Sequence, residues 1–223
     1  MRAMILAAGR GTRMGDLTTH TPKPLLKLGG RYLIEYPIKQ LAAAGIRDIV
    51  INVSYLGEQI QAVLGDGHRF GVQLHYSIEP ERLETGGGIV QALPLLGDQP
   101  FIVVSSDVIT DYALSQLLQP LRGLAHLVLV DNPTYRPQGD FCLHQNTVMI
   151  PTHPPSQTTY TYANLGVYSP ALFQLSQPGH FPLSRLLIPA IQAGAVTGEH
   201  YRGQWHNIGT PHDLNECERS FVY

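Results

Sequence analysis

Six apolar residues, Ala3-Met4-Ile5-Leu6-Ala7-Ala8, run without alternation into Gly9-Arg10-Gly11-Thr12-Arg13. An apolar run with no polar face reads as a short strand over 3–8, covered on both sides, as inside a parallel sheet with helices above and below. The glycines that follow let backbone approach a ligand closely, and successive free N–H groups can cradle phosphate oxygens. Thr12 adds a hydroxyl, Arg13 a planar cationic fork and Lys23 a point charge. Pro22 and Pro24 stiffen the segment that carries Lys23. The pattern describes a candidate polyphosphate site at the end of one strand.

Two other phosphate loops are excluded. A Walker A loop needs Gly-x4-Gly-Lys-Ser/Thr, and no Lys-Ser or Lys-Thr occurs in this stretch. A dinucleotide fingerprint needs glycine at position 14, where Met14 stands.

The pattern then alternates. Helices are expected over 33–44, 56–64, 89–93 (stopped by Pro94) and 111–119 (capped by Asp111, ahead of Pro120), and strands over 48–53, 72–78, 101–104 and 125–130. This order argues for a mostly parallel α/β sheet with helices on both faces. From Asn132 onward, Pro133, Pro137, Pro151, Pro154 and Pro155 interrupt shorter strands over 141–144 and 147–150, joined by a Gln145-Asn146 turn. Strands over 160–168, 196–201 and 205–208 follow, with helices over 171–175 and 183–193. Pro211 opens a terminal helix with Thr210 as its N-cap. The expectation is a single domain over 1–223, with a larger half (1–131) and a smaller acceptor lobe (132–223).

Net charge is −2, which excludes a general nucleic-acid or membrane-surface binder and makes the local cations Arg10, Arg13, Lys23 and Lys27 stand out. Cys142 and Cys217 are the only cysteines, too few for a disulfide framework, so reduced thiols in the cytoplasm are expected. No apolar run reaches the ~18 residues of a membrane span. The opening apolar stretch ends at Ala8, so a secretory leader is not expected either.

Three further clusters carry chemistry. Glu79-Pro80-Glu81-Arg82-Leu83-Glu84-Thr85-Gly86-Gly87-Gly88 reads as a strand-to-helix loop whose glycines let a flat base press on the backbone. Asp107 follows the strand over 101–104, where ligands of open α/β sheets gather, and one carboxylate there suits Mg2+. Trp205-His206-Asn207-Ile208-Gly209-Thr210-Pro211 closes the set.

Leu6-Ala7-Ala8-Gly9-Arg10-Gly11-Thr12-Arg13-Met14 with Thr21-Pro22-Lys23-Pro24-Leu25 resembles the signature of the sugar-1-phosphate nucleotidyltransferases, which join a nucleoside triphosphate to a sugar 1-phosphate and release pyrophosphate. The resemblance covers nearly the whole chain. It implies a Rossmann-like, glycosyltransferase-A-like fold. It assigns the nucleotide to Leu6, Ala8, Gly9, Gly11, Thr12, Arg13, Lys23, Glu79, Thr85, Gly86 and Gly87, and catalysis to Arg13, Lys23 and Asp107. It assigns the sugar to Gly139, Asp140 and Asn164, and Mg2+ to Asp107 and position 207.

Two departures matter. The family motif Trp-x-Asp-x-Gly-Thr-Pro carries its second metal carboxylate where this chain has Asn207. The Glu-Lys-Pro element that supplies a sugar-phosphate lysine in thymidylyltransferases is absent, leaving Arg202 or Arg185 for the acceptor phosphate. The Glu-Thr-Gly-Gly-Gly wording resembles the uridylyltransferase branch that acts on N-acetylmuramate 1-phosphate, which implies UTP as donor and a role in peptidoglycan (cell-wall) sugar recycling. Guanylyltransferases usually show Gly-Thr-Ala-Gly there. Mannose-1-phosphate guanylyl transfer, glucose-1-phosphate thymidylyl or uridylyl transfer, and a non-catalytic sugar-nucleotide sensor are the alternatives. A monomer or weak dimer is expected.

Overall fold

The first strand shows why the sheet is covered twice: Ala3 and Ile5 enter one core, and Met4, between them, enters the other. The computed structural model describes residues 1–152 and 157–220; Pro154 and Pro155 lie outside them. Its strands are β1 (Ala3–Leu6), β2 (Lys27–Leu28), β3 (Arg31–Tyr32), β4 (Asp48–Val53), β5 (Gln73–Ile78), β6 (Phe101–Ser105), β7 (Val108–Thr110), β8 (Ala125–Val130), β9 (Phe141–His144), β10 (Thr147–Met149), β11 (Thr159–Tyr168), β12 (Val196–Tyr201) and β13 (Trp205–Asn207). Its helices are α1 (Glu35–Ala43), α2 (Gly57–Leu64), α3 (Glu84–Leu96), α4 (Ser184–Gln192) and α5 (Pro211–Ser220).

One nine-stranded sheet runs in the order β5-β4-β1-β6-β11-β8-β12-β10-β9. The first four strands are parallel to one another, and β8 is parallel to β12. Strand β11 lies antiparallel between β6 and β8 because the chain returns to the sheet after the β9–β10 hairpin. Ile38 and Leu41 of α1 and Ile60 and Leu64 of α2 cover one face; Ile89 and Ala92 of α3 and Leu187 and Ile191 of α4 cover the other. A side chain such as Leu41 gains about 1.5–3 kcal/mol from such burial. At the hairpin turn Gln145 and Asn146 both have positive φ, as a two-residue turn matching the strand twist demands.

Three local expectations are corrected. α3 begins at Glu84, so the glycine run lies inside its first turns and is not a loop ahead of it. It also continues past Pro94 to Leu96, because a proline near the end of a helix removes only one late hydrogen bond. The segment 111–119 is not an α-helix but a 3-10 turn over Leu114–Leu118. Asp111 does not cap it, as its carboxylate accepts the Tyr201 hydroxyl.

The ribbon β7–β13 stands apart from the large sheet and pairs Asn207 with Val108. Beyond it Thr210 and Asp213 form a reciprocal cap on α5. Thr210 Oγ1 accepts from the Asp213 N–H at 3.2 Å, and Asp213 Oδ2 accepts from the Thr210 and Gly209 N–H groups at 2.7 and 3.0 Å.

Candidate active site

A cavity of about 340 Å3 opens at the carboxyl ends of β1, β4 and β6, where Leu6, Asn52 and Ser105 line it. Parallel strands place their ligand crevices at that edge. Ala8, Gly9, Gly11, Thr12, Arg13, Lys23, Thr85 and Asp107 line the same cavity. The structure thus brings together residues far apart in the chain.

Gly11 has φ +66, and a Cβ there would lie 2.9 Å from Lys23 Cβ. Glycine is therefore needed twice over, for the left-handed backbone and for the lysine stem that crosses it. Among the described residues the N–H groups of Gly9, Arg10 and Gly11 have no hydrogen-bond acceptor, which leaves them for an anion. Arg13 lies against the backbone of Gly209, where a Cβ would stand 3.1 Å from both terminal nitrogens of the guanidinium. The Gly-Thr-Pro segment thus makes room for the arginine.

Lys23 is only 9% exposed, and its ammonium is paired with Asp107 Oδ2. Asp107 is fixed from behind: its carbonyl accepts the Ile208 N–H at 2.9 Å, which ties it to the strand carrying Asn207. Asn207 Oδ1 is buried and has no hydrogen-bond partner among the described residues. Burial raises the pKa of the Tyr135 phenol, and the neighbouring Asn207 side chain offsets part of that rise. One carboxylate and one orphaned amide oxygen fit a hard cation that takes most of its ligands from water and phosphate. No group of three or more His, Cys, Asp or Glu residues suited to a metal occurs among the described residues. Asp213 Oδ2, the other nearby carboxylate oxygen, is engaged in the α5 cap.

The loop entering α3 differs from the sequence expectation. Glu79 does not line the cavity. It is 2% exposed, with Oε1 accepting from Asn52 Nδ2 at 2.7 Å and Oε2 from the Leu83 N–H at 3.0 Å. Asn52 in turn accepts the Ala7 N–H at 2.9 Å, which fixes the turn out of β1. The glycines of α3 are buried for packing. A Cβ at Gly86 would strike the Phe181 ring, one at Gly87 the Gly179 carbonyl, and one at Gly88 would lie 2.5 Å from Glu79 Oε1. The Gly87 N–H is already given to the Phe181 carbonyl at 3.1 Å, so it is not available to a base. Arg82, Glu84 and Thr85 face the cavity instead. Sequence reasoning missed Asn52 and Glu84; the signal for Asn52 was a lone amide in the apolar run Ile49-Val50-Ile51-Asn52-Val53.

A second cavity of about 720 Å3 adjoins the first and shares Arg13 and Gly209 with it. Tyr135, Arg202, His206, Asn207 and Thr210 line it. Burial lowers the His206 pKa, which favours the neutral ring. Arg202 is the acceptor-side cation that reaches this cavity; Arg185 instead stacks 5.6 Å over the Phe181 ring in a separate hollow on α4. Gly139 and Asp140 also lie elsewhere. Asp140 is paired with Arg136 and accepts the Tyr162 N–H at 2.9 Å, and both residues line a hollow beside Ile188. Gly139 is required by close packing, since a Cβ would lie 2.5 Å from Asn132 Oδ1. Asn164 stands at φ +56 in the irregular stretch of β11, one residue before the Leu165–Val104 pair at the carboxyl end of β6.

Comparison with known proteins agrees with this geometry. The sequence profile of the family described as Nucleotidyl transferase matches residues 2–221. An N-acetylmuramate alpha-1-phosphate uridylyltransferase of Neisseria meningitidis is 43% identical, over 98% of this chain and 97% of its own length. A mannose-1-phosphate guanyltransferase of Aspergillus fumigatus is 31% identical over 96% of this chain, which spans 62% of that longer protein. Among solved structures, a putative glucose-1-phosphate thymidylyltransferase from Bacillus anthracis, crystallised in complex with a sucrose, superimposes over the full chain and 97% of its own with a TM-score of 0.85 at 20% identity.

Proposed function

The chain belongs to the nucleotidyl transferase family, and from that premise we propose that it transfers the uridylyl group of UTP to a sugar 1-phosphate, N-acetylmuramate 1-phosphate above all, giving a UDP-sugar and pyrophosphate. The observation that carries this reading is a single cavity that gathers the Gly9–Thr12 backbone, Arg13, Lys23 and Asp107 and meets a second cavity at Arg13. The relative that is 43% identical over almost the whole chain supports the choice of base and sugar.

In this mechanism the loop amides and Arg13 hold the β- and γ-phosphates. Lys23, paired with Asp107 in the free protein, exchanges that carboxylate for an α-phosphate oxygen when the triphosphate enters. The nucleophile is a phosphate oxygen of the sugar 1-phosphate. It is already an anion, so the reaction needs no general base, and catalysis rests on alignment and charge neutralisation. Arg202 anchors the acceptor's anionic group in the second cavity. Asp107 and Asn207 would hold Mg2+, which would supply positive charge to offset that of the phosphates.

A pyrophosphate-release assay over a panel of triphosphates and sugar phosphates tests the proposal. Turnover with UTP and N-acetylmuramate 1-phosphate supports it, and preference for GTP or dTTP moves the chain to another activity of the family. Binding without turnover supports a sensor, a reading favoured by the missing charge at Asn207. The setting that goes with the proposal is a cytoplasmic monomer or weak dimer that recycles cell-wall sugar. Burial raises the pKa of Cys142 and pushes that of Cys217 up to about 11, which makes both poor nucleophiles. Among the described residues no helix is long and apolar enough to cross a membrane.

A further inference from the structure

Strands β8 and β12 run parallel with His200 opposite Leu129 and Tyr201 opposite Val130, so Asp131 and Arg202 leave the sheet side by side at the second cavity. The backbone of the turn that carries Arg202 is fixed. The Gln204 carbonyl accepts from Thr110 Oγ1 at 2.7 Å and from the Asp111 N–H at 3.2 Å, and a Cβ at Gly203 would strike the Tyr201 hydroxyl. What remains free is the arginine side chain, which is long and costly to order. Among the described residues its one hydrogen bond runs from Nε to His200 Nδ1 at 3.4 Å. Its two terminal nitrogens are left for a ligand.

His200 is itself held. Its side chain is 13% exposed, its ring centroid lies 4.3 Å from that of Tyr160, and its Nε2 meets Asp131 Oδ1 at 2.9 Å. The two ends of this chain of contacts set its polarity, since a carboxylate only accepts and a guanidinium only donates. An imidazole with a single proton, on Nε2, satisfies both ends; the other tautomer and the imidazolium each turn an N–H toward Arg202. Asp131 is 78% exposed, so its part is to fix the tautomer rather than to stabilise the fold. We propose that His200 is a positioning residue: fixed by Asp131, it accepts from Arg202 Nε and so presents the terminal nitrogens of the guanidinium to the anionic group of the sugar 1-phosphate. This rests on the assignment of the acceptor to the second cavity and of Arg202 to its charge.

A purely structural role is the competing account, with the ring serving to pack on Tyr160. Two substitutions separate the accounts. His200→Phe keeps a ring on Tyr160 and removes the acceptor. His200→Asn can place an acceptor oxygen where Nδ1 stands and cannot be protonated. The experiment measures Tm, kcat and KM for both substrates in these variants, in Arg202→Ala and in the double variant His200→Phe/Arg202→Ala. The sugar 1-phosphate used is the one that the parental protein turns over best. The groups against the ring are Asp131, Arg202 and the Tyr160 phenol. Lowering the pH from about 8 to about 5.5, the window in which imidazoles gain a second proton, thus sets an imidazolium against the guanidinium.

His200→Phe is expected to raise KM for the sugar 1-phosphate roughly 3- to 10-fold, the worth of one hydrogen bond. Tm, kcat and KM for UTP should stay at parental values. In the Arg202→Ala background the same substitution should add nothing, because its effect passes through the arginine. His200→Asn should restore most of the parental KM. Acidification should raise KM for the sugar 1-phosphate more in the parental protein than in His200→Asn; comparing the two cancels the titration of the substrate and of His206, which lines the same cavity. A parental KM in His200→Phe, an equal rise with and without Arg202, or parallel pH profiles would each overturn the proposal. Failure of the underlying reading looks different: Arg202→Ala then leaves KM for the sugar 1-phosphate unchanged, and the proposal falls with it. Preference of the parental protein for another substrate pair revises the uridylyl reading and leaves these comparisons as decisive as before.

Discussion

The two cavities that meet at Arg13 are built in different ways. The first is made of backbone and of buried groups that satisfy one another: the glycine loop, the Glu79–Asn52–Ala7 relay and the Lys23–Asp107 pair. The second is lined by long side chains on its rim, among them Tyr135 at 55% exposure, and keeps an orphaned acceptor in Asn207 Oδ1. A pocket that must align a triphosphate gains from groups ordered before binding, which pay no entropy at the moment of reaction. A pocket that must tell one sugar from another can be altered one side chain at a time without disturbing the sheet. On the proposed division of substrates, rigidity thus falls on the cavity assigned to the nucleotide and adaptability on the one assigned to the acceptor.

The sharpest way to break that contrast is to remove the cation of the rigid cavity. Lys23→Met should lower kcat in a pyrophosphate-release assay by roughly 10²–10³, the range for losing one transition-state donor. It should also leave Asp107 without its partner, so Mn2+ binding followed by water-proton relaxation should appear without nucleotide. A parental rate would remove Lys23 from the mechanism. On the acceptor side Arg202→Ala should raise KM for the sugar 1-phosphate roughly 10- to 100-fold, the worth of a charge-assisted hydrogen bond. KM for UTP should stay unchanged. Equal effects on both substrates would mean that the cavities do not divide the substrates as described. The packing of the rigid side is probed by Gly87→Ala, whose Cβ meets the Gly179 carbonyl. Overpacking of this kind should cost about 1–3 kcal/mol in urea unfolding.

How much of this was legible in the sequence follows the same division. The strand–glycine loop and the Lys23 segment could be read because their chemistry is local: a few adjacent residues specify both conformation and charge. The strands over 48–53 and 125–130 were equally plain, since buried apolar runs leave few alternatives. That Gly86, Gly87 and Gly88 also make room for Phe181, Gly179 and Glu79 could not be read, because a contact across the fold leaves no local mark. The hydrogen bonds of Glu79 are hidden for the same reason, as only the folded chain shows Asn52 and Leu83 satisfying it. Asp140, expected to meet the sugar, also gives its oxygens to Arg136 and the Tyr162 N–H, partners that the sequence does not reveal.

The smallest expected effect tests the boundary between the cavities. Asn207 Oδ1 is buried without a partner among the described residues, and the side chain neighbours Tyr135. An orphaned acceptor has a cost in a folded protein, and a cation beside Asp107 would remove it. Asn207→Asp replaces that oxygen by a charged one at the same reach. If position 207 touches the metal, the half-saturating Mg2+ concentration should fall severalfold: a unit charge and a divalent cation 4 Å apart attract by ~2 kcal/mol in water-like surroundings, and desolvation of the new carboxylate offsets part of that. Without metal the same variant should be less stable, since it sets a second carboxylate near Asp107 and near a buried position. Added Mg2+ should then raise its Tm more than it raises that of the parental protein. An unchanged Mg2+ requirement together with an unchanged Mg2+ effect on Tm would leave Asp107 as the sole protein ligand. The adaptable cavity would then begin at position 207 and the rigid one end at Asp107.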